Sequence, residues 1–373
     1  MDRILQVVTG LNRGGLESFV MNVYRKLDRD KIQFDFLMFS KTGVYDDEVL
    51  AMGARIFRMP TRRDGYLKSR KAVKDFFKTN ARNYIAVHQH VSSLSSLLPM
   101  YYAQKYGIPV RILHAHSSSI SKAVKGRFIH QVLHFLNKRK VSEYANVYYA
   151  CSNKAKHWIY DGSGVLDQVI IIKNGIDTRQ YAFNKNVREA VRNQMELSDD
   201  TIVLGHVGSM IPVKNHMFLL EVFKDFKKLN ENSKLLLVGD GGLKNQIREK
   251  SEELGISDDV IMLGSRSDVN VLLQGFDFLV MPSLFEGLPV SLVEAQCAGL
   301  PVIASDTISS DSKLTDYLFF CPLADGPETW AYNINRILSS FKRKDCSEIV
   351  KNNGFDSLDV VNILSHVYRN GHE

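Results

Sequence analysis

Two glutamates eight residues apart are the residue pair with the clearest chemical meaning in this sequence. Glu286 lies in a loop that follows the apolar run Phe278–Met281, and Glu294 lies inside the amphipathic stretch beyond it. Gly287 permits a tight turn between them, and Pro289 marks the start of a helix. The unpaired N–H groups at a helix start bind an anion, and carboxylates on either side accept hydroxyl groups. The pattern favours a site for a phosphate-bearing polyol over a glycosidase pair aimed at one bond.

A glycine loop near the beginning of the chain is a second candidate for binding an anion. Gly14 and Gly15 come between an apolar run and a stretch with helical spacing, and Arg13 adds a positive charge beside them. Glycine lets a ligand approach the backbone closely, and a helix start favours negative charge. The loop matches neither the G-x-G-x-x-G pattern nor the Walker loop, so a plain strand-to-helix turn stays an alternative.

Two histidine pairs close apolar runs that have the pattern of strands. His88 and His90 form one pair, and His114 and His116 form the other. The two-residue spacing places both members of a pair on one face of a strand, a geometry that can hold zinc. No carboxylate accompanies either pair at ligand spacing, so we predict no metal site. A neutral imidazole at a strand end instead accepts a hydrogen bond from a hydroxyl group or donates one to a phosphate.

Alternating strands and helices must position these residues. Short apolar runs predict strands at Ile4–Val8, Gln33–Phe39, Ile85–His88, Arg111–His114, Val147–Ala150, Val169–Ile172, Ile202–Val207, Lys234–Val238, Val260–Leu263, Phe278–Met281 and Pro301–Ala304. Helical spacing predicts helices at Leu16–Leu27, Tyr66–Asn80, Met217–Leu229, Leu243–Leu254, Pro289–Ala298 and Ser357–Tyr368. This order predicts an α/β protein with two Rossmann-like, doubly wound parallel sheets that face each other across a cleft.

Chain length and turn signals divide the sequence into domains. A chain of 373 residues exceeds what one hydrophobic core supports, and the Asn-Gly turn within Lys173–Asp177 separates the two series of strands. We predict an N-terminal domain over residues 1–178, a C-terminal domain over 179–350, and a terminal segment, 351–373, whose helix packs back towards the N-terminal domain. The four cysteines form no C-x-x-C pair, which favours a reducing location.

Positive charge is concentrated in the first part of the chain. The net charge is +7, but residues 1–140 hold 25 Lys and Arg against 10 Asp and Glu. Such a region attracts anionic lipid headgroups, nucleic acids or diphosphates. The basic residues along Tyr66–Asn80 favour either a helix on an anionic membrane or one packed on the sheet with a basic solvent face. No run of about 18 apolar residues predicts a membrane span, and no nucleic-acid-binding motif is present.

Several motifs, taken together and in order, resemble one enzyme family. Glu286 and Glu294, with the segments Glu286–Pro289 and Ala298–Asp306, are similar to the donor site of retaining glycosyltransferases of family four, which have the GT-B fold. Further landmarks similar to that family cover nearly the whole chain: Gly14-Gly15, Asn174–Asp177, Lys214, Val238–Gly241 and Leu263-Gly264. The segments Arg13–Glu17 and His114–Ser118 most resemble its capsular and exopolysaccharide branch.

The resemblance implies a role for each candidate residue. Glu294 would hold the nucleotide ribose, while Glu286 and the amides of residues 287–290 would hold the donor sugar and the distal phosphate. Lys214 would neutralise the diphosphate leaving group, and His116 would lie near the reacting centre. The predicted catalytic residues are His116, Glu286 and Lys214. The predicted donor-binding residues are Gly14, Gly15, Arg13, Ser209, Arg266, Gly287, Leu288, Pro289, Val290 and Glu294, with Arg266 near the base.

The resemblance also implies a reaction. We expect a retaining hexosyl- or N-acetylhexosaminyl-type transferase of class EC 2.4 that uses a nucleotide-sugar donor, with UDP favoured, and a lipid-linked or saccharide acceptor. The first domain would bind the acceptor and the second the donor. No cofactor or metal is expected, since Lys214 and the helix starts supply positive charge. We expect front-face attack assisted by the leaving phosphate, in the cytoplasm or at the inner face of the membrane, in capsular or exopolysaccharide biosynthesis.

One position departs from the family pattern. Ser209 stands where the family usually has an arginine ahead of Lys214. A fixed cation in a dry site contributes roughly 2–4 kcal/mol to transition-state stabilisation, so its loss lowers activity unless another cation replaces it. We expect Arg13 to be the replacement, with Arg266 as the other option. A catalytically weak or inactive GT-B accessory subunit is the alternative function, and nucleic-acid binding is a more distant one.

Overall fold

The computed structural model describes residues 1–12, 14–117, 126–286 and 288–371, and divides the chain into two compact units. Unit 1 comprises residues 1–175 and 357–373, and unit 2 comprises residues 176–356. The sequence placed these boundaries after residues 178 and 350. Both segments between the predicted and observed boundaries belong to unit 2, because Ile176 pairs with Asp356 and the Thr178 hydroxyl donates to the Asp356 carboxylate.

Unit 1 is a doubly wound α/β domain. Its strands are β1 (Asp2–Val8), β2 (Ile32–Met38), β3 (Ile56–Arg58), β4 (Ala86–Val91), β5 (Val110–Ala115), β6 (Val147–Ala150) and β7 (Ile170–Ile171). Its helices are α1 (Gly15–Lys26), α2 (Asp46–Ala51), α3 (Tyr66–Asn80), α4 (Leu98–Lys105), α5 (Arg127–Lys138), α6 (Val141–Tyr144), α7 (Asn153–Tyr160) and, from the end of the chain, α16 (Ser357–Asn370). The strand order is β3-β2-β1-β4-β5-β6-β7, and every paired neighbour is parallel.

Each face of the sheet in unit 1 has its own apolar core. One core packs α3, α4 and α7 against the sheet, with Val73 and Phe77 of α3 fully buried. The other packs α1 and α16 against the opposite face, with Phe19 and Leu364 among its members. All seven residues of β2 are buried, as expected for a parallel strand covered on both faces.

Unit 2 repeats the same architecture. Its helices are α8 (Thr178–Tyr181), α9 (Lys185–Gln194), α10 (His216–Leu229), α11 (Lys244–Glu253), α12 (Val269–Gly275), α13 (Val290–Cys297), α14 (Gly326–Leu338) and α15 (Ser347–Val350). Its strands are β8 (Ile202–Val207), β9 (Ser233–Val238), β10 (Val260–Gly264), β11 (Phe278–Met281), β12 (Val302–Ser305) and β13 (Leu318–Cys321). The order β10-β9-β8-β11-β12-β13 is again parallel throughout, and one apolar core covers each face.

The two doubly wound sheets confirm the predicted fold class, including the exact predicted bounds of β6, β8, β11 and α3. The short strands β3 and β13, each at an edge of its sheet, were not predicted. Along the described parts of the chain, no helix combines the length and the apolar character that crossing a bilayer requires.

Each sheet reverses its strand order at one place, and the candidate residues follow the strands on either side of it. In unit 1 the reversal lies between β1 and β4, and in unit 2 it lies between β8 and β11. Ligands of doubly wound sheets bind outside the carboxyl ends of the strands at such a reversal. The topology therefore places Gly14 and His90 at one ligand-binding position, and Lys214 and Glu286 at the other.

Candidate active site

Tight backbone contacts shape the loop that carries Lys214. Gly239 has φ +144°, and a Cβ there would lie 2.0 Å from the carbonyl oxygen of Gly208, so only glycine fits. A Cβ on Gly208 would in turn lie 3.1 Å from Cε of Lys214. The lysine side chain thus lies directly over the backbone that follows β8. Ser209 is exposed in the same loop.

Lys214 and Glu286 form an ion pair between the loops that follow β8 and β11. The ammonium group contacts Oε1 of Glu286, and both side chains are largely buried, with 14% and 17% of their surface exposed. Ser283 also donates a hydrogen bond to Oε1 of Glu286, at 3.0 Å. The Leu284 N–H donates to the carbonyl of Val213 at 2.8 Å, which ties the two loops together. The resemblance implied separate roles for these two residues, and the structure brings them into contact.

Glu294 lies on α13, where its carboxylate has a partner that the sequence did not predict. The Tyr181 hydroxyl donates to Oε1 of Glu294 at 2.7 Å. Burial raises the pKa of Glu294 to about 7, although the hydrogen bond from Tyr181 acts in the opposite direction. Burial and the neighbouring Glu294 also raise the pKa of Tyr181. No local signal could have revealed this contact, because 113 residues separate the two side chains.

The start of α13 leaves backbone N–H groups beside Glu286. Pro289 precedes the helix in an extended conformation, and no side chain among the described residues caps the helix start. Val290 is the first helical residue, and the Leu292 N–H bonds to the Pro289 carbonyl at 3.1 Å. Uncapped N–H groups and the helix dipole favour an anion here. Leu288 is partly buried in the same segment, while Gly287 lies outside the described residues.

Two buried histidines beneath the Lys214 loop were also not predicted from the sequence as site residues. His206 Nδ1 donates to the Val280 carbonyl at 2.8 Å, and the His216 ring lies edge-on to it with centroids 4.8 Å apart. Burial lowers the pKa of His206 to about 3 and that of His216 to about 4, so both rings are neutral. A Cβ on Gly208 would lie 3.1 Å from His206 Nε2. Neutral rings support the loop without competing with Lys214 for an anion.

The remaining predicted donor residues are distributed between the two units. Arg266 is exposed and pairs with the Asp268 carboxylate at 2.6 Å. In unit 1, Gly14 precedes α1 in an extended conformation, and within the described part of the chain no side chain caps this helix. A Cβ on Gly15 would lie 3.8 Å from the Asn174 amide nitrogen, an ordinary contact. Arg13, the expected substitute for the missing arginine, lies outside the described residues.

His116 follows β5 and belongs to a cluster with the other three predicted histidines. His90 Nδ1 and His116 Nε2 lie 2.9 Å apart, and His88 Nε2 and His114 Nδ1 lie 3.2 Å apart. Nitrogens of His88, His90 and His114 lie within 4.8 Å of one another, so these three residues are the candidates for holding a metal ion. Burial lowers the pKa of His116 to about 3, which keeps its ring neutral.

A small cavity in unit 1 opens beside this cluster. Its volume is about 190 Å³, and it lies at the carboxyl ends of β1 and β4. The residues that line it are Val7, Val8, Thr9, Leu16, Phe39, Gln89, His90, Val91, Ser92, Ser93, Ser95 and Ser96. Serine hydroxyls and an imidazole on an apolar floor suit a polyhydroxylated ligand.

The fold and the two sites define a glycosyltransferase, and comparisons with known proteins agree. The sequence profile described as "Glycosyl transferases group 1" matches residues 187–353, and that of "Glycosyltransferase Family 4" matches residues 13–180. The putative glycosyltransferase EpsF of Bacillus subtilis (strain 168) is 34% identical over 98% of this chain and 96% of its own. The chain therefore belongs to the family-four-like glycosyltransferases with the GT-B fold.

More distant relatives extend the comparison. The UDP-Gal:alpha-D-GlcNAc-diphosphoundecaprenol alpha-1,3-galactosyltransferase of Escherichia coli is 25% identical over 82% of this chain and 78% of its own. The capsular polysaccharide biosynthesis glycosyltransferase CapH of Staphylococcus aureus is 25% identical over 99% of both chains. The crystal structure of Anabaena Alr3699/HepE in complex with UDP superposes with a TM-score of 0.76 at 18% identity, over 99% of this chain and 100% of that one.

Proposed function

We propose that this chain is a retaining glycosyltransferase that moves a sugar from a UDP-sugar to a lipid-linked saccharide in capsular or exopolysaccharide biosynthesis. The observation that carries the proposal is the grouping of Lys214, Glu286 and the uncapped start of α13 at the strand-order reversal of unit 2. A cation and free N–H groups suit a diphosphate, and adjacent carboxylates suit sugar hydroxyls. The names of the relatives support the substrate classes: one uses UDP-Gal and a diphosphoundecaprenol acceptor, and another serves capsule synthesis.

Lys214 has to change partners when the donor binds. Without ligand its charge is held by Glu286 in a largely buried pair. A diphosphate carries more negative charge than one carboxylate, so it attracts Lys214 and leaves Glu286 to accept a hydroxyl of the donor sugar. Lys214 then stabilises the charge that develops on the leaving phosphate as the glycosidic bond breaks. Glu294 accepts the ribose hydroxyls, and Arg266 lies towards the base.

Transfer on this scheme needs no metal ion. Lys214 and the helix start supply the positive charge that a divalent cation supplies elsewhere. We propose that the acceptor hydroxyl attacks from the face that the diphosphate leaves, with that phosphate taking the proton. A covalent sugar trapped on Glu286 would contradict this step, and so would activity that chelation by EDTA abolishes and added magnesium restores.

The acceptor half of the reaction is assigned to unit 1. The cavity beside His90 presents hydroxyls and an imidazole for a saccharide, and His116 lies at the adjoining strand end. We propose that His116 contacts the donor sugar or the acceptor near the reacting centre. Because its pKa is depressed, it acts there as a neutral imidazole.

An anionic lipid surface is the proposed partner of α5. This helix turns its polar side inward: His134 Nδ1 accepts from the Leu94 N–H at 3.0 Å, and Asn137 donates to the Leu94 carbonyl at 2.7 Å. Its apolar residues share the opposite, exposed face, and Phe128 is 76% exposed. The exposed residues are Phe128, Ile129, Val132, Phe135 and Leu136.

Positive charge lies beside that apolar face. A cavity of about 350 Å³ next to the end of α5 is lined by Arg62, Arg70 and Lys140 with three tyrosines, and its described lining holds no carboxylate. Apolar side chains beside a cationic cavity match the acyl and phosphate layers of an anionic bilayer. For the basic helix α3 the sequence left two alternatives open, a membrane contact or packing on the sheet with a basic solvent face. In the structure α3 packs Val73, Phe76 and Phe77 into the core.

Product analysis tests the proposed reaction. The purified protein is incubated with a panel of UDP-sugars and a saccharide-diphospholipid acceptor, and NMR of the product reports the anomeric configuration. We expect transfer from one UDP-sugar with retention. Inversion, or transfer only from donors with another nucleotide, would contradict the proposal. Binding of UDP without any turnover would instead support the accessory-subunit alternative that Ser209 raises.

Vesicle sedimentation tests the membrane contact separately. We expect the protein to sediment with phosphatidylcholine vesicles that contain phosphatidylglycerol and much less with phosphatidylcholine alone. Replacing Phe135 and Leu136 by serine should abolish this binding. Tyr332→Ser, which changes an exposed side chain of unit 2, is the matched control and should leave it unchanged. Equal binding by both variants would contradict the assignment of α5.

A further inference from the structure

A buried chain of hydrogen bonds connects His116 to the C-terminal helix. It comprises six side chains from β1, β4, β5, the residue after β5, and α16, and we call it the histidine ladder. Its members are Gln6, His88, His90, His114, His116 and Tyr368. Gln6 and Tyr368 are each 1% exposed and were not predicted from the sequence. The ladder lies between the sheet and the helices α1 and α16, on the face where Phe19 packs.

The first arm of the ladder runs from Gln6 to His116. His90 Nε2 lies 2.9 Å from Oε1 of Gln6, and an amide oxygen can only accept, so His90 Nε2 carries the proton. A neutral imidazole has one N–H, which leaves His90 Nδ1 as an acceptor. His116 Nε2, at 2.9 Å from His90 Nδ1, must therefore donate. Among the described residues no donor reaches Nδ1 of His116, which leaves its lone pair bare.

The second arm runs from Gln6 to His114 through the C-terminal helix. The amide nitrogen of Gln6 donates to the Tyr368 hydroxyl at 3.1 Å, and that hydroxyl donates to His88 Nδ1 at 2.8 Å. His88 Nε2 then carries its proton and donates to His114 Nδ1 at 3.2 Å. The direction in which the Gln6 amide points thus fixes every bond of the first arm. It favours the stated direction in the second arm, because a Tyr368 hydroxyl that accepts from Gln6 keeps its own proton for His88 Nδ1.

We propose that Gln6 is a positioning residue that, together with Tyr368, fixes His116 as the Nε2–H tautomer with Nδ1 free to accept a hydrogen bond. The inference rests on the proposed function for the step that His116 serves. An imidazole that can only accept binds a sugar or acceptor hydroxyl and repels the oxygens of a phosphate, which also only accept. Turning the Gln6 amide over would reverse every bond of the first arm and make His116 Nδ1 a donor instead.

A hydrogen-bonded ladder explains the geometry better than a bound metal ion. The His88 and His90 rings are stacked, with centroids 4.1 Å apart and planes at 26°. Imidazole lone pairs lie in the ring plane, so stacked rings do not direct their nitrogens at one ion. Burial lowers the pKa of His88, His90 and His114 well below the usual value, which keeps the ladder uncharged.

Nitrogen-15 NMR of the histidine rings tests the proposal directly. The tautomer of His116 is read from its two ring nitrogens in the full-length protein, without substrate, and the signals are assigned with His116→Gln. We expect a protonated Nε2 and an unprotonated Nδ1 in the natural chain. Gln6→Leu should give a mixture of tautomers, whereas Gln6→Glu keeps an acceptor for His90 and should retain the original one. If Gln6→Leu does not fold, Tyr368→Phe, which releases the Gln6 amide, replaces it and should also give a mixture.

A matched control separates tautomer selection from loss of a buried hydrogen bond. Gln33 is buried on β2, where its Oε1 accepts from the Tyr24 hydroxyl at 2.8 Å, outside the ladder. Gln33→Leu should therefore leave the His116 signals unchanged. In transfer assays we expect Gln6→Leu to lower kcat about tenfold or more with KM for the donor within about twofold, and Gln6→Glu to recover most of kcat.

Three results would overturn the proposal. They are a natural His116 protonated at Nδ1, a His116 tautomer that is the same in Gln6→Leu and the natural chain, and stoichiometric zinc that His88→Ala removes. The ring signals do not depend on catalysis. A protein that shows the expected tautomers but transfers no sugar would therefore contradict the proposed function and still support the role of Gln6 in fixing the His116 tautomer.

Discussion

The two units have their sites at the same position of the same architecture, but the site of unit 1 is lined by neutral side chains and that of unit 2 by charged ones. Unit 1 places four neutral histidines at its strand ends, with their protons held by one another and by Gln6. Unit 2 contributes a charged pair, Lys214 and Glu286, and on α13 the Glu294 carboxyl, whose pKa is about 7. The doubly wound sheet decides where a ligand binds, and the side chains decide its chemistry. Neutral rings suit hydroxyls, while ions and an open helix start suit a diphosphate.

The largest expected difference between the units is their response to acid. The ladder histidines have depressed pKa values, so below pH 6.5 the unfolded chain takes up protons that the folded ladder does not. The neutral histidines therefore make their full contribution to the free energy of unfolding above that pH. This contribution is lost as the pH falls towards their pKa values in the folded protein, by roughly 1.4 kcal/mol per histidine and pH unit. At the site of unit 2, the described residues include two such rings, His206 and His216.

Hydrogen exchange at pH 7 and pH 5 measures that difference. Amides of β4 and β5 should lose protection more steeply on acidification than amides of β8 and β11. Equal losses in both units would show that the histidines of unit 1 are not held neutral.

Removing the fixed charge of unit 2 should have the next largest effect. Lys214→Met deletes the cation proposed to stabilise the leaving diphosphate and leaves Glu286 unpaired. We expect kcat to fall about 10²- to 10³-fold, as for other groups that stabilise charge in a transition state. Lys228→Met, which breaks an exposed ion pair with Asp225, is the control and should leave kcat nearly unchanged. Loss of less than about threefold in kcat for Lys214→Met would remove this lysine from the mechanism.

The pH dependence of Glu294 gives a smaller effect of the opposite sign to that of the ladder. Its folded pKa is raised, so the folded state favours the protonated carboxyl and stability falls as the pH rises from about 4.5 to 7. Glu294→Gln cannot ionise, so the variant should gain stability relative to the natural chain over that range. We expect a gain on the order of 1 kcal/mol. Chemical denaturation at pH 5 and pH 7.5 measures the free energy of unfolding of both proteins. A difference between the variant and the natural chain that does not change with pH would contradict the raised pKa.

Restoring the arginine at position 209 should have the smallest effect. Ser209 is exposed beside Lys214, so Ser209→Arg has room to add a second cation for the leaving diphosphate. We expect kcat to rise about fivefold if the site works below its capacity. A variant with unchanged kcat would indicate that another cation, such as Arg13, already supplies the charge. Arg13→Ala in the natural chain distinguishes that case by a large fall in kcat.

Local sequence signals predicted the framework of the molecule and only part of its sites. Strands such as β8 and β11 are buried apolar runs bounded by turn residues, so their bounds were predictable. The partners of the candidate residues were not, because Tyr181 and Glu294, or Gln6 and Tyr368, meet only after the chain has folded. The pairing of Lys214 with Glu286 depends likewise on a contact between loops of two different strands. The exposed apolar face of α5 has helical spacing like any core helix, and only its orientation shows that it faces outward.

Calorimetric titration of UDP into three variants tests the division between the units most directly. We expect Glu294→Ala to weaken UDP binding by about tenfold or more, because the ribose hydroxyls lose their acceptor. His116→Ala and Gln6→Leu should leave the affinity for UDP within about twofold, since the ladder serves a hydroxyl rather than the nucleotide. If Glu294→Ala binds UDP as tightly as the natural chain, or if the ladder variants lose UDP binding to the same degree, the assignment of the nucleotide to unit 2 is contradicted.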